Sequence, residues 1–316
     1  MKQILVIVLA AMAMAGQTSH PPYASSKPIR EPILFAPGVI STQDYELNAA
    51  FMPDGTAVYF TKSTPQFPMF LTIVVSHFVR RQWSTPEVAE FSGQYSDADP
   101  FVSPDGKRLF FASMRPTEGK PKTDNDIWMV DKTPTGWSVP QNLGRSVNSN
   151  AQELYPTLSK DGTLYFVSMR PGGRGGSDIY SSRQVDGNYA EPENLGDAIN
   201  TRYGEGDACI SQDGSFIVFA SNGRPDDMGG GDLYISERKD GAWTPARHLG
   251  SGVNSAAREF CPIISPDGKY LFFTSERGFG DTPMKSRLSY KELQSNLRGP
   301  NNHLGNIYQI DLSAIK

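Results

Sequence analysis

The sequence predicts an all-β protein, a five-bladed β-propeller of four-stranded antiparallel blades. A turn motif recurs five times, and each copy is flanked by the same succession of short apolar runs. The turn aspartates follow one another at intervals of 51, 56, 52 and 54 residues, at Asp54, Asp105, Asp161, Asp213 and Asp267. A period near fifty residues with four strands per period is typical of propellers.

The second copy shows the elements of one repeat. The turn at 104–106 reads Pro-Asp-Gly, in which Pro fixes φ, Asp binds its own backbone and Gly supplies a positive φ. We predict strands at 99–103, 108–113 and 126–130, with Trp137 opening the segment that leads to the fourth. A solenoid is the competing repeat fold, but its parallel strands do not fit tight turns between neighbouring strands.

The end of each repeat is equally regular. An aromatic residue follows the third strand, and in three copies it stands 11 residues after the residue that opens that strand; the aromatics are Trp83, Trp137, Tyr189 and Trp243. The closing runs read PQNLG, PENLG and PARHLG, and they begin at Pro140, Pro192 and Pro245.

The two ends of the chain complement each other. The last copy lacks a fourth strand. The apolar segment 33–36 near the N-terminus looks like a fourth strand without the first three strands of a repeat before it. We therefore predict that this segment completes the last blade and closes the ring, which removes exposed sheet edges. The predicted propeller spans 31–316, with blades at about 46–93, 94–148, 149–200, 201–254 and 255–311 plus 31–42.

The first thirty residues predict export. Lys2, the apolar run 4–10 and an Ala-x-Ala site ending at Ala15 form a signal peptide over 1–16. The run is too short to span a membrane, and no Cys follows it to carry a bacterial lipid anchor. Residues 17–30 are predicted to be a flexible tether. We expect a periplasmic or secreted monomer.

Composition limits the partners. The formal net charge is −4, which argues against nucleic acid as a partner. Cys209 and Cys261 could form a disulfide in an oxidising compartment. The favoured interpretation is that both are buried free thiols. No cofactor is predicted. Calcium at the aspartates in 124–126 or 226–227 is the alternative, although neither run has the spacing of a known calcium loop.

Acidic residues recur at the start of every first strand. Six residues before the residue that precedes each turn stand Glu46, Asp97, Glu153, Glu205 and Glu259. First strands are innermost in a propeller, so these side chains should lie near the mouth of the central channel. Two residues further on, along the same strand face, come Asn48, Asp99, Tyr155, Asp207 and Cys261.

Cations accompany these acids. The second strands end at Arg115, Arg170, Arg224 and Arg277, and the third strands begin at Asp126, Asp178, Asp232 and Asn306. In the structural interpretation, each Arg holds its blade's carboxylates as an ion-pair staple. In the functional one, the five carboxylates bind a cation or a polar substrate. A feature present in every blade favours the staple.

The first copy departs from this pattern. It keeps Glu46, but Lys62 is the nearest cation after its second strand, and Thr72 replaces the third-strand aspartate. One hypothesis is that Glu46 and Asp97 contact a ligand at the rim of this blade. The alternative is simple sequence drift.

The loops between second and third strands open on the same face as these residues. They span 116–125, 171–177, 225–231 and 278–305. The last is long enough to be a lid or a partner-binding arm, and a short helix is predicted at 288–297. The Gly-rich loops are predicted to be tight turns, because no helix follows them to form a phosphate site.

The repeat resembles a known family. SPDGKRLFFASMR followed by DIW, and SPDGKYLFFTSER followed by NIY, are similar to the TolB-type propeller repeat, a relative of the WD repeat; the resemblance covers about 31–311. It implies a periplasmic protein that binds partners. Propeller domains of peptidases are also similar, but they accompany a separate hydrolase domain. No catalytic residue of the family maps onto this sequence.

Two functions remain open. The first is a binding or scaffold module for a cell-envelope protein or glycan, acting through the loop face. The second is a carbohydrate-active enzyme, a glycoside hydrolase or lyase, with carboxylates at the channel mouth. Two unpaired acids about 5 to 9.5 Å apart would favour the enzyme, whereas acids each held by an Arg would favour the binding module.

Overall fold

The computed structural model describes residues 21–117 and 119–316. The predicted signal peptide at 1–16 lies outside the described residues. Five antiparallel sheets stand in a ring, which confirms the five-bladed propeller.

Each blade has three main strands, and short strands follow on its outer side. Blade 1 contains β2 (Tyr45–Phe51), β3 (Ala57–Ser63), β4 (Leu71–Val79), β5 (Gln82–Trp83) and β6 (Glu87–Val88). Blade 2 contains β7 (Asp97–Val102), β8 (Arg108–Ser113), β9 (Asp126–Thr133), β10 (Gly136–Trp137) and β11 (Gln141–Asn142).

The next two blades repeat this order. Blade 3 contains β12 (Glu153–Leu158), β13 (Leu164–Ser168), β14 (Asp178–Ser182), β15 (Gln184–Val185), β16 (Asn188–Tyr189) and β17 (Glu193–Asn194). Blade 4 contains β18 (Gly204–Ile210), β19 (Phe216–Asn222), β20 (Asp232–Lys239), β21 (Ala242–Trp243) and β22 (Arg247–His248).

Blade 5 joins the two ends of the chain. It contains β23 (Glu259–Ile264), β24 (Tyr270–Ser275), β25 (Asn306–Asp311) and the N-terminal β1 (Ile33–Leu34). Strand β1 pairs antiparallel with β25, with Ile33 opposite Gln309. The predicted closure is therefore confirmed. A short 3₁₀ turn, Leu312–Ala314, follows β25.

The predicted tether differs from expectation over 21–30. Tyr23 is only 5 % exposed, and its ring lies edge-on to Phe51 with centroids 4.8 Å apart. The amide of Ile29 donates to Asp311 at 3.0 Å, and the Gln309 side chain donates to the Tyr23 carbonyl at 2.7 Å. These residues pack across the junction of blades 1 and 5 because buried aromatic surface is available there.

The Asp-Gly turns form as the sequence predicts. In blade 2, Asp105 Oδ1 accepts from Ser103 Oγ at 2.7 Å and from the Lys107 amide at 3.0 Å, and Gly106 has φ 70°. The same bonds recur at Asp161, Asp213 and Asp267. The turns all lie on one face of the ring, here named the turn face; the opposite face is the loop face.

The outer edge of each blade is shorter than predicted. The fourth strands are two residues long, and the aromatic residue instead lies in a small hairpin with the third strand, as at β10. Trp137 uses this position to donate to Tyr59 of the neighbouring blade at 2.8 Å.

The remaining elements agree with the sequence. The loop 278–305 contains α1 (Tyr290–Leu297), which begins with a capping box of Ser289 and Glu292. Cys209 and Cys261 are free and buried. Within the described ranges, no helix has the length and hydrophobicity needed to cross a bilayer.

Candidate functional site

The five predicted acids form one ring at the loop face, here named the rim ring. Their side chains are all 0 % exposed: Glu46, Asp97, Glu153, Glu205 and Glu259. A buried carboxylate costs several kcal/mol unless it is paired and hydrogen-bonded. The surroundings of each acid therefore decide whether the ring is available for chemistry.

In blade 2 the carboxylate of Asp97 has four hydrogen-bond contacts, although Arg115 Nε and Nη1 have no partner among the described residues. Arg115 Nη2 lies 2.9 and 3.0 Å from the two Asp97 oxygens and also donates to the Phe91 carbonyl at 2.8 Å. Ser92 and Ser113 donate to the same carboxylate at 2.8 and 2.6 Å. The staple joins the first strand, the second strand and the connection from the preceding blade.

Blades 3 to 5 repeat the staple. The arginine nitrogen lies 3.5 Å from Glu153 for Arg170, 2.9 Å from Glu205 for Arg224 and 3.1 Å from Glu259 for Arg277. Each glutamate also accepts from the backbone amide and the hydroxyl of the residue four positions earlier, which is Ser149, Thr201 or Ser255.

Blade 1 replaces the arginine with Lys62. Its Nζ lies 3.1 Å from Glu46 and 2.6 Å from Asp44, and Thr42 donates to Glu46 through its amide and hydroxyl. Glu46 therefore has a counter-charge, contrary to the idea that it stands alone. Burial raises its pKa, and the Thr42 and Lys62 contacts oppose that rise. Burial likewise raises the pKa of Asp97 against the influence of Arg115. Neither carboxylate is exposed to a ligand.

The third-strand aspartates hold the loops. Asp178 accepts from the amides of Arg174 and Gly175 at 2.6 and 3.1 Å, and Asp232 accepts from the Met228 amide at 2.5 Å. A Cβ on Gly175 would lie 1.7 Å from the Tyr203 carbonyl oxygen, so only glycine fits. The Gly-rich loops thus wrap their own blade's carboxylate.

The predicted calcium aspartates are also engaged. Lys122 forms ion pairs with Asp124 and Asp126. Asp226 and Asp227 both accept from the Tyr234 hydroxyl.

Sequence reasoning missed one structural residue next to the staples of blades 3 to 5. Asn148, Asn200 and Asn254 accept from the amide of the second residue of the third strand, at 2.7, 2.8 and 2.9 Å, and donate back to its carbonyl. The signal was present as Val/Ile-Asn-Ser/Thr, in which the Asn stands five residues before the rim acid.

The residues two positions after each rim acid form a second ring nearer the axis, here named the channel ring. Its members lie at a β-bulge in each first strand. All have a positive φ: Asn48 50°, Asp99 56°, Tyr155 51°, Asp207 44° and Cys261 50°. Non-glycine residues in this region are strained by about 1–3 kcal/mol each, and such strain clusters at functional sites.

The channel ring is joined from blade to blade. Asp99 Oδ2 accepts from the Tyr155 amide at 3.2 Å, and Asp207 Oδ2 accepts from the Cys261 amide at 3.3 Å. The Tyr155 hydroxyl reaches across to donate to the Pro262 carbonyl of blade 5 at 2.9 Å.

The two channel aspartates influence each other. Burial raises the pKa of Asp99 to about 7, and the nearby Asp207 carboxylate adds to the rise. Burial also raises the pKa of Asp207, although Arg258 opposes that shift. Both residues nevertheless have intermediate burial, with backbone and side chain counted together. They are therefore accessible in a way that the rim acids are not.

The turn-face end of the channel is apolar. A cavity of about 40 Å³ there is lined by residues from all five blades, among them Phe51, Phe101, Leu158, Ile210 and Ile264. Access to the channel ring is accordingly from the loop face.

The loop face also carries most of the exposed large apolar residues. Of the thirteen among the described residues, eight lie in connections between second and third strands: Phe67, Met69, Phe70, Met169, Met228, Met284, Tyr290 and Leu297. A cleft of about 950 Å³ between blades 2 and 3 opens nearby, lined by Lys120, Lys122, Trp128 and Arg145 among others.

Comparison with known proteins supports the fold. No protein-family model and no curated protein sequence matches the chain. Among solved structures, a glycoside hydrolase aligns with a TM-score of 0.54 and 9 % identity, over 90 % of this chain and 92 % of that one. TolB from Acinetobacter baumannii aligns with a TM-score of 0.48 and 16 % identity.

The coverage of these matches differs. The TolB alignment includes 84 % of this chain but only 54 % of TolB, so the chain spans about half of that protein. A GH43 β-xylosidase/α-arabinofuranosidase from a compost microbial metagenome aligns with a TM-score of 0.48 and 14 % identity, over 89 % of this chain and 94 % of that one. At 9 % identity the likeness to the glycoside hydrolase shows the fold alone.

Proposed function

We propose that this chain is an exported, TolB-like propeller that binds a cell-envelope protein through its loop face. The observation that carries the proposal is the concentration of exposed apolar side chains on that face. Phe67 is 94 % exposed and Tyr290 is 74 % exposed. Exposed apolar side chains gathered on one face, when polar residues surround them, mark interaction sites.

The chemistry of these side chains favours a protein over a glycan. Four of the eight are methionines, Met69, Met169, Met228 and Met284, and methionine adapts its shape to apolar protein surfaces. The loops that carry Met169 and Met228 are held to the blades by the Asp178 and Asp232 bonds. A rigid ring that presents apolar loops suits a scaffold role.

The rim ring supports binding rather than catalysis. A glycosidase needs one carboxylic acid and one carboxylate that are free to reach substrate. Each rim acid instead lies within 3.5 Å of an Arg or Lys nitrogen of its own blade. This pairing matches the expectation for the binding module.

A carbohydrate-active enzyme is the second candidate, because Asp99 and Asp207 are not paired in that way. A pKa near 7 for Asp99 would suit a general acid beside an ionised partner. If the chain is this enzyme, purified protein will hydrolyse a panel of aryl glycosides, and Asp99→Asn will abolish the activity. The binding module predicts no hydrolysis by either protein.

Capture from envelope extract tests the binding function. Phe67→Ser/Phe70→Ser should reduce recovery of a cross-linked partner by about tenfold or more, because buried aromatic anchors dominate interfaces. Val139→Ser/Val185→Ser is the control, since Val139 and Val185 are also exposed apolar residues, at 80 % and 56 %, but lie on the outer side of blades 2 and 3. Equal recovery with both double variants would contradict the proposal, as would binding to a glycan array without any protein partner.

The same proposal includes compartment and oligomeric state. We infer from the predicted signal peptide that the chain is periplasmic or secreted, and we propose that it is a monomer. Fractionation of expressing cells, followed by light scattering of the purified chain, measures both.

A further inference from the structure

The loop face carries a positively charged cleft in a chain whose formal net charge is −4. The cleft of about 950 Å³ between blades 2 and 3 is here named the 2–3 cleft. Among the described residues, the charged ones that line it are Lys120, Lys122, Arg145 and Asp126. Three cations and one carboxylate give the cleft a positive charge, opposite in sign to that of the whole chain.

Two of these cations have no counter-charge. Lys122 forms ion pairs with Asp124 and Asp126, so its charge is compensated inside blade 2. Lys120 and Arg145 are exposed, and neither forms an ion pair within the described part of the chain. The cleft therefore presents two free positive charges to a ligand.

One wall of the cleft contains a buried donor without an acceptor. Trp128 is 8 % exposed and lines the cleft, and its indole nitrogen has no hydrogen-bond partner among the described residues. The Arg115 guanidinium lies 5.5 Å from the centre of the Trp128 ring, and its Nε and Nη1 also lack partners. Buried polar atoms are rarely left unpaired in native proteins because the loss is costly.

Blade 4 shows which acceptor suits this position. Tyr234 is the counterpart of Trp128, since each stands two residues after the aspartate that opens its third strand. The Tyr234 hydroxyl donates to Asp226 and Asp227 at 2.9 and 2.8 Å, and both carboxylates belong to the loop of the same blade. The loop of blade 2 also has an aspartate, Asp124, but a lysine pairs with it. Trp128 thus stands where another blade uses carboxylates.

We propose that the 2–3 cleft binds a short acidic peptide segment of the partner; this inference rests on the proposed binding function. Carboxylates of the segment form ion pairs with Lys120 and Arg145, and one of them accepts from the Trp128 indole nitrogen. Hydrogen bonds to an ionised carboxylate are stronger than those between neutral groups. The indole nitrogen is covered, so a side chain of the cleft moves aside as the peptide docks.

The surroundings favour a peptide over a small anion. Pro116, Met169 and Pro171 line the same cleft, and Met169 is one of the exposed apolar residues of the loop face. One protein partner can therefore place acidic and apolar side chains on adjoining surfaces. The volume lies near the upper end of the range of about 300–1,000 Å³ for ligand pockets, which suits a short extended segment better than a single inorganic ion.

Peptide titration tests the inference. Fluorescein-labelled hexaglutamate is titrated with the purified chain, hexaglutamine and hexalysine serve as control peptides, and fluorescence anisotropy gives Kd. We expect hexaglutamate to bind at least about tenfold more tightly than either control peptide, because only its carboxylates form charge-assisted hydrogen bonds with the cleft.

Variants locate the peptide. Lys120→Gln/Arg145→Gln should raise the Kd for hexaglutamate at least about tenfold. Lys160→Gln/Arg183→Gln is the matched control, because it removes the same two charges from exposed residues that line the turn-face cleft between blades 3 and 4. Trp128→Phe keeps an aromatic ring but lacks the donor, and should raise Kd about three- to tenfold.

Three results would overturn the inference: equal Kd values for the two double variants, an unchanged Kd for Trp128→Phe, or tighter binding of oligogalacturonate than of hexaglutamate. These titrations need no envelope partner, so the inference and the proposed function can fail separately. If hexaglutamate does not bind, the inference fails and the capture result stands. If Phe67→Ser/Phe70→Ser leaves capture intact, the proposed function fails whatever hexaglutamate does.

Discussion

The rim ring and the channel ring lie two residues apart on the same five strands, yet they differ in every physical respect. The rim acids are fully buried, and each is paired with a cation of its own blade, an arginine in blades 2 to 5 and Lys62 in blade 1. The channel ring varies from blade to blade, is strained, and holds two partly exposed aspartates without a cationic staple. Repetition with full pairing indicates a structural device. Variation with unpaired polar groups indicates a site.

Removing the cation that pairs with one rim acid should have the largest effect on the free energy of unfolding. Arg115→Ala leaves Asp97 buried without its partner, so we expect a loss of about 3–5 kcal/mol in the free energy of unfolding. Urea denaturation measures it. Arg115→Ala/Asp97→Asn should recover part of the loss, since the uncompensated charge is then absent. No recovery would mean that Arg115 acts through its packing on Phe111, whose ring centroid lies 4.9 Å away.

Neutralising Asp99 in the channel ring should have the opposite effect and raise the free energy of unfolding. The folded-state pKa of Asp99 is about 7, well above that of an unfolded aspartate. Well below the pKa of an unfolded aspartate, which is about 3.9, both states hold the proton. As pH rises toward 7 the unfolded state releases it first, so the folded protein loses stability.

Asp99→Asn cannot ionise and should escape this loss. We expect the variant to be more stable than the wild type by about 2–4 kcal/mol at pH 8, with the difference vanishing well below the pKa of an unfolded aspartate. Chemical denaturation across this pH range measures it. A difference that does not change with pH would show that Asp99 is not the group that titrates.

The ion pair of blade 1 is the weakest of the five staples. Lys62 is 27 % exposed and divides its charge between Glu46 and Asp44, whereas Arg115 is 7 % exposed in its side chain. Lys62→Ala should therefore cost only about 1–2 kcal/mol, because Thr42 still donates two bonds to Glu46. A loss as large as that of Arg115→Ala would remove the distinction between blade 1 and the others.

Much of the rim ring could be predicted because its signals are local. The acid, the arginine and the turn recur at fixed spacing, and an antiparallel blade brings the start of its first strand beside the end of its second. Blade 1 was harder, since Lys62 reaches Glu46 only through the register that pairs the two residues. The packing of Tyr23 on Phe51 was also beyond prediction, because it depends on a gap between blades that are distant in sequence.

The sequence alone determined the repeat, the turns and the closure by β1, because each depends on spacing and short-range turn chemistry. Only the tertiary structure decided that the rim acids are fully buried and that Asp99 and Asp207 lie close enough for one carboxylate to raise the pKa of the other. Each first strand bulges at a left-handed residue, which strand propensity does not predict. That arrangement exists only when all five blades are packed in a ring.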